Sequence, residues 1–469
     1  MTDAQITAVF EGAGDFVRRE LRCGEYTLYA YAIDGLVSGA DAAEFVLRPI
    51  ALSLTGESMT ALYQKALYGS VYNTVAGACK DVDDIALKLV NGFCVVLFPG
   101  VGAVAYEVRT GVSRTPAAPE VENTVKGPKD AFVETMRINT SVIRRHLRTP
   151  NLQLHQTTVG RRSMTNVTVA SIRGITNEAL VSKMKARLDE IDIDGLLSPS
   201  AVEEYVTGSR ITTFPLLQYT ERPDRFCQGL LDGRVGLLID GLPLGYLAPT
   251  DIGYLMESME DRSRDFISAS FVRVLRYLAL LASLLLPAIY IALINFHPQW
   301  IPEALLNTIM NTKQPVPFTP AGEVLGLLIA YELLQESGIH LPQAVGQSVS
   351  TIGGIVVGTA AVEAGLISPV VLIVVSIAGV SGFALPNRDL ANAVRVWRFG
   401  IGVLGAAFGI WGVLLGVALL LLHLSTLKSL GVRYIRIPRG CKRAVLRHRL
   451  KTQKYRDSAT KTVDKKNQK

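Results

Sequence analysis

The pattern of hydrophobic and polar positions changes near residue 265. Before it, apolar runs are short, end at glycine or turn residues, and alternate with segments that have one apolar and one polar face. This mixture is typical of an α/β fold. After it come three long runs almost without charge, Tyr277–Phe296, Ser337–Asn387 and Phe399–Leu424. Because about 20 apolar residues cross a bilayer as a helix, the pattern predicts a soluble α/β half followed by an α-helical membrane domain.

The soluble half repeats itself. Strand-like runs end at Gly35 and Gly174, which are 139 residues apart, and predicted hairpins begin at Gly92 and Gly233, which are 141 residues apart. Two unlike features at nearly the same offset predict two related α/β domains. The predicted organisation is a first domain at 1–112, a linker at 113–128, a second domain at 129–268, a membrane domain at 269–427 and a basic tail at 428–469.

The membrane domain is predicted to cross the bilayer four times, at about 274–296, 342–363, 366–386 and 399–424. We expect the turn at 363–369 on the inner side. The apolar stretch 323–336 contains Glu332 and Glu336, which favours a helix that lies in the outer interface or re-enters the bilayer over a helix that spans it. The segment 388–398, on the outer side, could form an interfacial helix that couples the third and fourth spans, or it could be a plain connector between them.

Charge sets the expected orientation. The tail from residue 428 carries fifteen Lys and Arg against two Asp, a net +13 within a total of +7. Basic segments next to membrane spans stay in the cytoplasm, and arginines also precede the first span, so both the N-terminal half and the tail are predicted to be cytoplasmic. The tail suits anionic lipid head groups. Nucleic-acid binding is not expected, because few aromatic residues interleave these charges.

Composition and motifs argue against enzymatic chemistry. The chain is 49 % hydrophobic and 19 % charged, with a mean hydropathy of +0.29. This excludes a disordered chain and is atypical of a soluble enzyme. The five cysteines are scattered and are expected to be free thiols. The six histidines show no metal-ligand spacing, and no phosphate-binding loop is present, so no catalytic residue, metal or cofactor is expected.

One helical stripe is a candidate for lining a pore. Small and polar residues recur on one helix face at Gln343, Gln347, Ser350, Gly354 and Ala361. They could line a conduction path, or they could let neighbouring helices pack closely. Glu363, the only formal charge in the long central run, could form a ring that attracts cations at the inner mouth, or it could cap the turn.

Arg222 and Asp224 lie just before a predicted helix at 226–231. They could form a tight turn there. Alternatively, they could pair with charges of a neighbouring subunit if the soluble domains assemble in a ring.

An ordered set of motifs gives a family resemblance. The motifs are KGPKDAF (126–132), RTPNL (148–152), TERPD (220–224), LPQAVGQ (341–347), AVEAGLISP (361–369) and FALPN (383–387). In this combination the chain resembles the A subunit of GerA-type spore germination receptors. The resemblance implies a multi-pass protein of the spore inner membrane, working with a transporter-like B subunit and a lipoprotein C subunit. It also implies a ring of A subunits, a pentamer, acting as a ligand-gated ion channel that triggers germination by releasing ions.

Two functional hypotheses remain open from the sequence. The first is an oligomeric channel subunit gated by a nutrient bound to a partner. The second is a non-conducting membrane scaffold, or an accessory paralogue, that clusters germination receptors and uses its small helix faces only for packing.

Overall fold

The fold was analysed in a computed structural model that describes residues 1–53, 58–69, 75–109, 119, 122, 126–196, 199–208, 211–339 and 358–435. Its N-terminal half contains two five-stranded antiparallel sheets. The first has the order β1-β2-β4-β5-β3 and the second the order β6-β7-β9-β10-β8. The strands are β1 Phe16–Cys23, β2 Tyr26–Ile33, β3 Ala76–Cys79, β4 Phe93–Phe98, β5 Gly102–Glu107, β6 Leu152–Val159, β7 Thr165–Ile172, β8 Gln218–Thr220, β9 Val235–Ile239 and β10 Gly245–Ala248.

The two sheets share one topology, as the sequence repeat predicted. Adding five to each strand number of the first sheet reproduces the order of the second. The repeated glycines occupy matching turns with a positive φ, 82° at Gly35 and 78° at Gly174, then 84° at Gly92 and 85° at Gly233. These backbone conformations suit glycine and disfavour other residues. The glycine offset is therefore a structural repeat.

Helices cover both faces of each sheet. In β4, alternate residues belong to two different cores: Cys94, Val96 and Phe98 to one, Val95 and Leu97 to the other. Burial on both faces explains why this strand is uniformly apolar. The helices are α1 Asp3–Val9, α2 Gly39–Asp41, a π-helical turn Ala42–Leu47, α3 Arg48–Ser53, α4 Met59–Tyr68, α5 Val82–Val90, α6 Met136–His146, α7 Glu178–Asp189, α8 Pro199–Thr207, α9 Pro223–Leu231, α10 Ile252–Leu255 and α11 Glu260–Ser263.

A buried ion pair joins the two α/β domains. Arg144 on α6 donates from Nε and Nη2 to the two carboxylate oxygens of Asp15, both at 2.7 Å, and both side chains are almost inaccessible. Beside it, the Gly14 N–H donates to the Leu154 carbonyl at 2.7 Å. The two sheets are therefore bound to each other by a bidentate charge pair.

The C-terminal half is helical. It comprises α12 Phe266–Phe296, a 3₁₀ turn Pro298–Trp300, α13 Glu303–Lys313, α14 Pro320–Ile339, α15 Pro369–Phe383 and α16 Arg388–Thr426, followed by the short strands β11 Lys428–Ser429 and β12 Val432–Arg433. Among the described residues, α12 and α16 are long and apolar enough to cross a membrane, by length and composition.

Helix α16 folds back on itself at Gly409. This residue has φ 59° and ψ −140°, which is not helical. In a straight helix, Ile401 and Gly416 would lie roughly 22 Å apart. Instead, a Cβ on Gly416 would lie 2.9 Å from Ile401 Cγ1, and the rings of Trp397 and His423 are 5.5 Å apart. The 39 residues of α16 therefore form two antiparallel arms, 388–408 and 410–426.

This fold-back corrects two expectations. The segment 388–398 is the beginning of the first arm, not a separate interfacial helix. It also starts beside the soluble half, because Asn387 Nδ2 donates to Gln218 Oε1 at 3.1 Å. The apex, Gly409, instead contacts Phe296 at the far end of α12. The arginines that we placed outside thus belong to an arm that begins at the soluble half.

The turn at 363–369 lies at the end of the helical half that is remote from the soluble half. We expected it at the end next to the soluble half. The Ser368 N–H donates to Glu323 at 2.8 Å, and Tyr290, Val324 and Val371 share one apolar cluster. Tyr290 lies 14 residues beyond Arg276, or roughly 21 Å farther from the soluble half along α12. Helix α14 is also longer than the 323–336 stretch expected in the interface.

We predict that cysteines at Ile401 and Gly416 will form a disulfide when oxidised, in a background without the native cysteines. The expected result is near-complete crosslinking, measured by gel mobility after cleavage between the arms, because a Cβ at position 416 would lie 3.4 Å from Ile401 Cβ. The control pair, Leu278→Cys with Leu293→Cys, has the same separation along the continuous helix α12 and should not crosslink within one chain. Equal behaviour of the two pairs would contradict the fold-back.

Candidate functional site

The junction between the two halves is built around one buried carboxylate. Asp261 on α11 is fully buried, and its Oδ2 accepts from Arg276 Nη1 at 2.7 Å and from Arg273 Nε at 3.1 Å. Both arginines lie near the beginning of α12. Burial by itself raises the pKa of Asp261, but the two guanidinium groups outweigh it and hold the pKa below its usual value. Helix α12 is thereby fixed to the second α/β domain.

The ion pairs continue from this junction into the second domain. Arg273 Nη1 also lies 3.3 Å from a carboxylate oxygen of Glu257. The Glu257 carbonyl accepts from Arg225 Nη2 at 3.1 Å, and Arg225 pairs with Glu122 of the predicted linker. The linker, α9 and α12 are thus connected by two ion pairs and one hydrogen bond to a backbone carbonyl.

Arg222 and Asp224 pair with each other within the chain. Arg222 is 1 % exposed, and its Nε and Nη2 donate to the Asp224 carboxylate at 3.0 and 2.7 Å. Arg222 Nη2 also donates to the Pro128 carbonyl at 3.0 Å. Arg222 precedes α9, as the turn alternative expected. The predicted contact between subunits is not tested by these observations and stays a prediction.

The helical half contains a second charge cluster that the sequence analysis missed. Glu332 on α14 accepts from Arg398 at 2.6 Å and from Arg395 at 2.9 Å, both on the first arm of α16. Arg398 is 2 % exposed. We assigned Glu332 to an interfacial face because the sequence does not show its partners, which lie 63 and 66 residues away. Ionisable groups among membrane helices are costly unless paired, so this cluster holds α14 against α16.

The candidate pore residues are only partly described. Gln343, Gln347, Ser350 and Gly354 lie outside the described residues. Ala361 is half-buried on a short helical segment at 358–363, and Glu363 is exposed at the end of that segment. Because the following turn lies at the end remote from the soluble half, Glu363 lies there too, and its place at a pore mouth stays a prediction.

The described part of the chain contains no group of three His, Cys, Asp or Glu side chains that could hold a metal. The four cysteines within it are free and buried. Burial raises the pKa of Cys94 to about 12, which keeps this thiol protonated and unreactive.

Glu203 on α8 faces the start of α16. Burial, together with the negative charge of Asp389, raises the pKa of Glu203 to about 7 from an ordinary 4.5. The folded protein therefore retains a proton here that the unfolded chain releases. Its stability consequently falls as the pH rises from about 4.5 to about 7.

We predict that Asp261→Asn will lower the free energy of unfolding by about 3–5 kcal/mol, because two buried arginines lose their counter-charge. The measurement is chemical unfolding of the full chain in detergent. The matched control is Asp265→Asn, at the exposed N-cap of α12, where Asn caps as well as Asp and the loss should stay below about 0.5 kcal/mol. Similar losses in both variants would contradict the role assigned to Asp261.

We predict that Glu203→Gln will remove a pH-dependent loss of stability. The melting temperature of the variant minus that of the wild type should increase from pH 5 to pH 8. The reason is that the buried Glu203 carboxyl of the wild type must ionise over this range, whereas Gln cannot ionise. Thermal unfolding at both pH values is the measurement. Glu204→Gln, at the exposed neighbouring position, should show no such trend, and a trend common to both variants would refute the assignment.

The similarity to known proteins extends across both halves of the chain. The family model described as Bacillus/Clostridium GerA spore germination protein matches residues 4–459. The chain is 32 % identical to the uncharacterized membrane protein YfkQ of Bacillus subtilis (strain 168), over 92 % of this chain and 84 % of that protein. It is 33 % identical to spore germination protein KA of the same organism, over 90 % of this chain and 78 % of the relative. It is 35 % identical to spore germination protein A1, also of Bacillus subtilis (strain 168), over 74 % of this chain and 72 % of that protein.

One solved structure is also similar. The N-terminal domain of the A subunit of the Bacillus megaterium spore germinant receptor GerK3 aligns with a TM-score of 0.40 and 24 % identity. The alignment covers 52 % of this chain and 92 % of that domain.

Proposed function

The chain belongs to the GerA spore germination protein family, and from this premise we propose that it is the A subunit of a nutrient germinant receptor in the spore inner membrane. Its copies assemble into a ring, a pentamer, that acts as a ligand-gated ion channel. Opening of the channel releases ions and triggers germination. The observation that carries this proposal is the match at 4–459, which includes the soluble domains and the helical half together.

The proposed partners follow from the family. A transporter-like B subunit binds the nutrient, and a lipoprotein C subunit completes the receptor. The curated relatives with assigned names are germination proteins, not enzymes, and we assign no catalytic activity to this chain.

We propose six membrane crossings: α12, α14, α15, the two arms of α16 and the crossing predicted from the sequence at 342–363, most of which lies outside the described residues. The proposal is supported by contacts at the end of the helices that is remote from the soluble half. There Phe296 lies against Gly409, and Ser368 bonds to Glu323. An even number of crossings keeps the soluble half and the basic tail on the cytoplasmic side, as the distribution of Lys and Arg favours.

In this arrangement Gln343, Gln347, Ser350, Gly354 and Ala361 line the conduction path. Glu363, exposed at the end remote from the soluble half, forms a ring of carboxylates at the outer mouth. Repeated carboxylates around one axis concentrate cations at a pore entrance.

A non-conducting scaffold or accessory paralogue is the second candidate. The observation that favours it is the similarity to YfkQ, a membrane protein without an assigned role, over nearly the whole of both chains. Family membership is equally compatible with this function.

The channel proposal predicts that the purified full chain is oligomeric and carries cation current when reconstituted in vesicles. Glu363→Gln should lower the cation conductance roughly threefold or more, because the ring no longer concentrates cations. Glu303→Gln is the matched control, since Glu303 is an exposed carboxylate of α13 between the far end of α12 and α14, and this variant should conduct like the wild type.

Oligomer mass in detergent, measured with the same samples, separates the two functions. An oligomer that conducts supports the channel. An oligomer that leaves the vesicles tight, both alone and with its partner subunits and nutrient, supports the scaffold and contradicts the channel.

A further inference from the structure

A cavity of about 360 Å³ opens where the end of the helical half meets the second α/β domain. It lies between α7, the end of α8 and the hairpin formed by β11 and β12. Its lining includes Lys183, Arg187, Gly208, Lys428 and Gly431. This volume is in the range of cavities that bind small ligands.

The charged side chains that line the cavity, among the described residues, are all positive. Lys183 and Arg187 lie one turn apart on α7, and Lys428 faces them from the hairpin. Like charges at this helical spacing repel each other. Within the described residues, neither the Lys183 nor the Lys428 ammonium group forms a hydrogen bond or an ion pair, whereas Arg187 pairs with Glu190 through Nη1 at 2.9 Å. Two of the three cations at the cavity thus lack a counter-charge among the described residues.

The hairpin that carries Lys428 is firmly docked. The buried Ser429 hydroxyl accepts from the Thr250 N–H at 2.9 Å and donates to the Leu216 carbonyl at 2.6 Å. Leu430 is buried in the core of the second domain, together with Leu180 and Met184 of α7. The three cations are therefore held by rigid elements and do not depend on long flexible loops.

The position of the cavity also brings it close to the lipid surface, given that the helical half lies in a membrane. The last turns of α16 expose Leu421 and Leu422, with 55 % and 62 % of their surface accessible. Helix α16 ends at Thr426, and Lys428 follows two residues later. A lipid whose chains contact these leucines would have its headgroup at the level of the cavity.

We propose that this cavity binds a phosphate-bearing anion, with the headgroup phosphate of an anionic membrane lipid as its source. Lys183, Arg187 and Lys428 donate charge-assisted hydrogen bonds to the phosphate oxygens. A bound lipid would tie the end of the helical half to the second α/β domain. A soluble phosphate is the other source of the same chemistry, and the experiment distinguishes the two.

The test uses the full chain in neutral detergent, titrated with a short-chain phosphatidylglycerol and followed by native mass spectrometry. Lys183→Gln combined with Lys428→Gln should weaken binding roughly 30-fold, because each cation near an anionic lipid surface contributes about a fivefold factor in affinity. The matched control, Lys80→Gln with Lys185→Gln, removes the same charge from outside the cavity lining and should bind like the wild type. Lys183→Arg with Lys428→Arg should retain binding.

A second experiment measures the melting temperature of the same variants in inorganic phosphate and in chloride at equal ionic strength. The lipid site is supported if the Gln pair loses phosphatidylglycerol binding and its matched control does not. Loss of phosphate stabilisation alone, with lipid binding unchanged, overturns the lipid source and assigns the cavity to a soluble phosphate. If the Gln pair and its control behave alike towards both probes, the site itself is refuted.

Discussion

The arrangement of the whole chain depends on one carboxylate that is removed from water. Asp261 is fully buried between two arginines of α12, and a charge in such a place is tolerated only when it is paired. This requirement sets the position of α12 on the second α/β domain. Every other helix of the C-terminal half packs, directly or through a neighbour, against α12 or against the two arms of α16. The ion pair therefore determines where the helical half begins and in which direction it leaves the soluble half.

The second constraint is the fold-back at Gly409. A side chain there would meet Phe296, because a Cβ would lie 2.9 Å from the Phe296 ring, and the backbone is in a region that favours glycine. Gly412 and Gly416 then allow the returning arm to approach the first arm closely. Without the reversal, residues 410–426 would lead away from the soluble half. With it, β11 and β12 return to the second domain, where Tyr434 is fully buried.

Local signals in the sequence predicted part of the soluble half. The turn glycines and the short apolar runs beside them indicated β2, β7 and the hairpins β4–β5 and β9–β10, whereas β1, β3, β6 and β8 were not predicted. The helical half depended on contacts that sequence patterns do not contain. The run 399–424 has no charge or proline at Gly409, so hydropathy alone read it as one continuous span. The glycines at 405, 409, 412 and 416 were the available signal, since their spacing of three to four residues is typical of close helix contact.

The error in the position of the 363–369 turn has a related cause. Glu332 made the stretch 323–336 look too polar to lie among membrane helices, because an unpaired carboxylate there is costly. Its partners Arg395 and Arg398 lie on α16, and pairing removes most of that cost. Excluding α14 from the helical bundle reversed the expected direction of the 366–386 segment, whereas 399–424 still ends beside the soluble half. A charge in an apolar stretch must therefore be judged together with opposite charges in the other apolar stretches, and here Arg398, buried to 2 % exposure, was the residue that decided the topology.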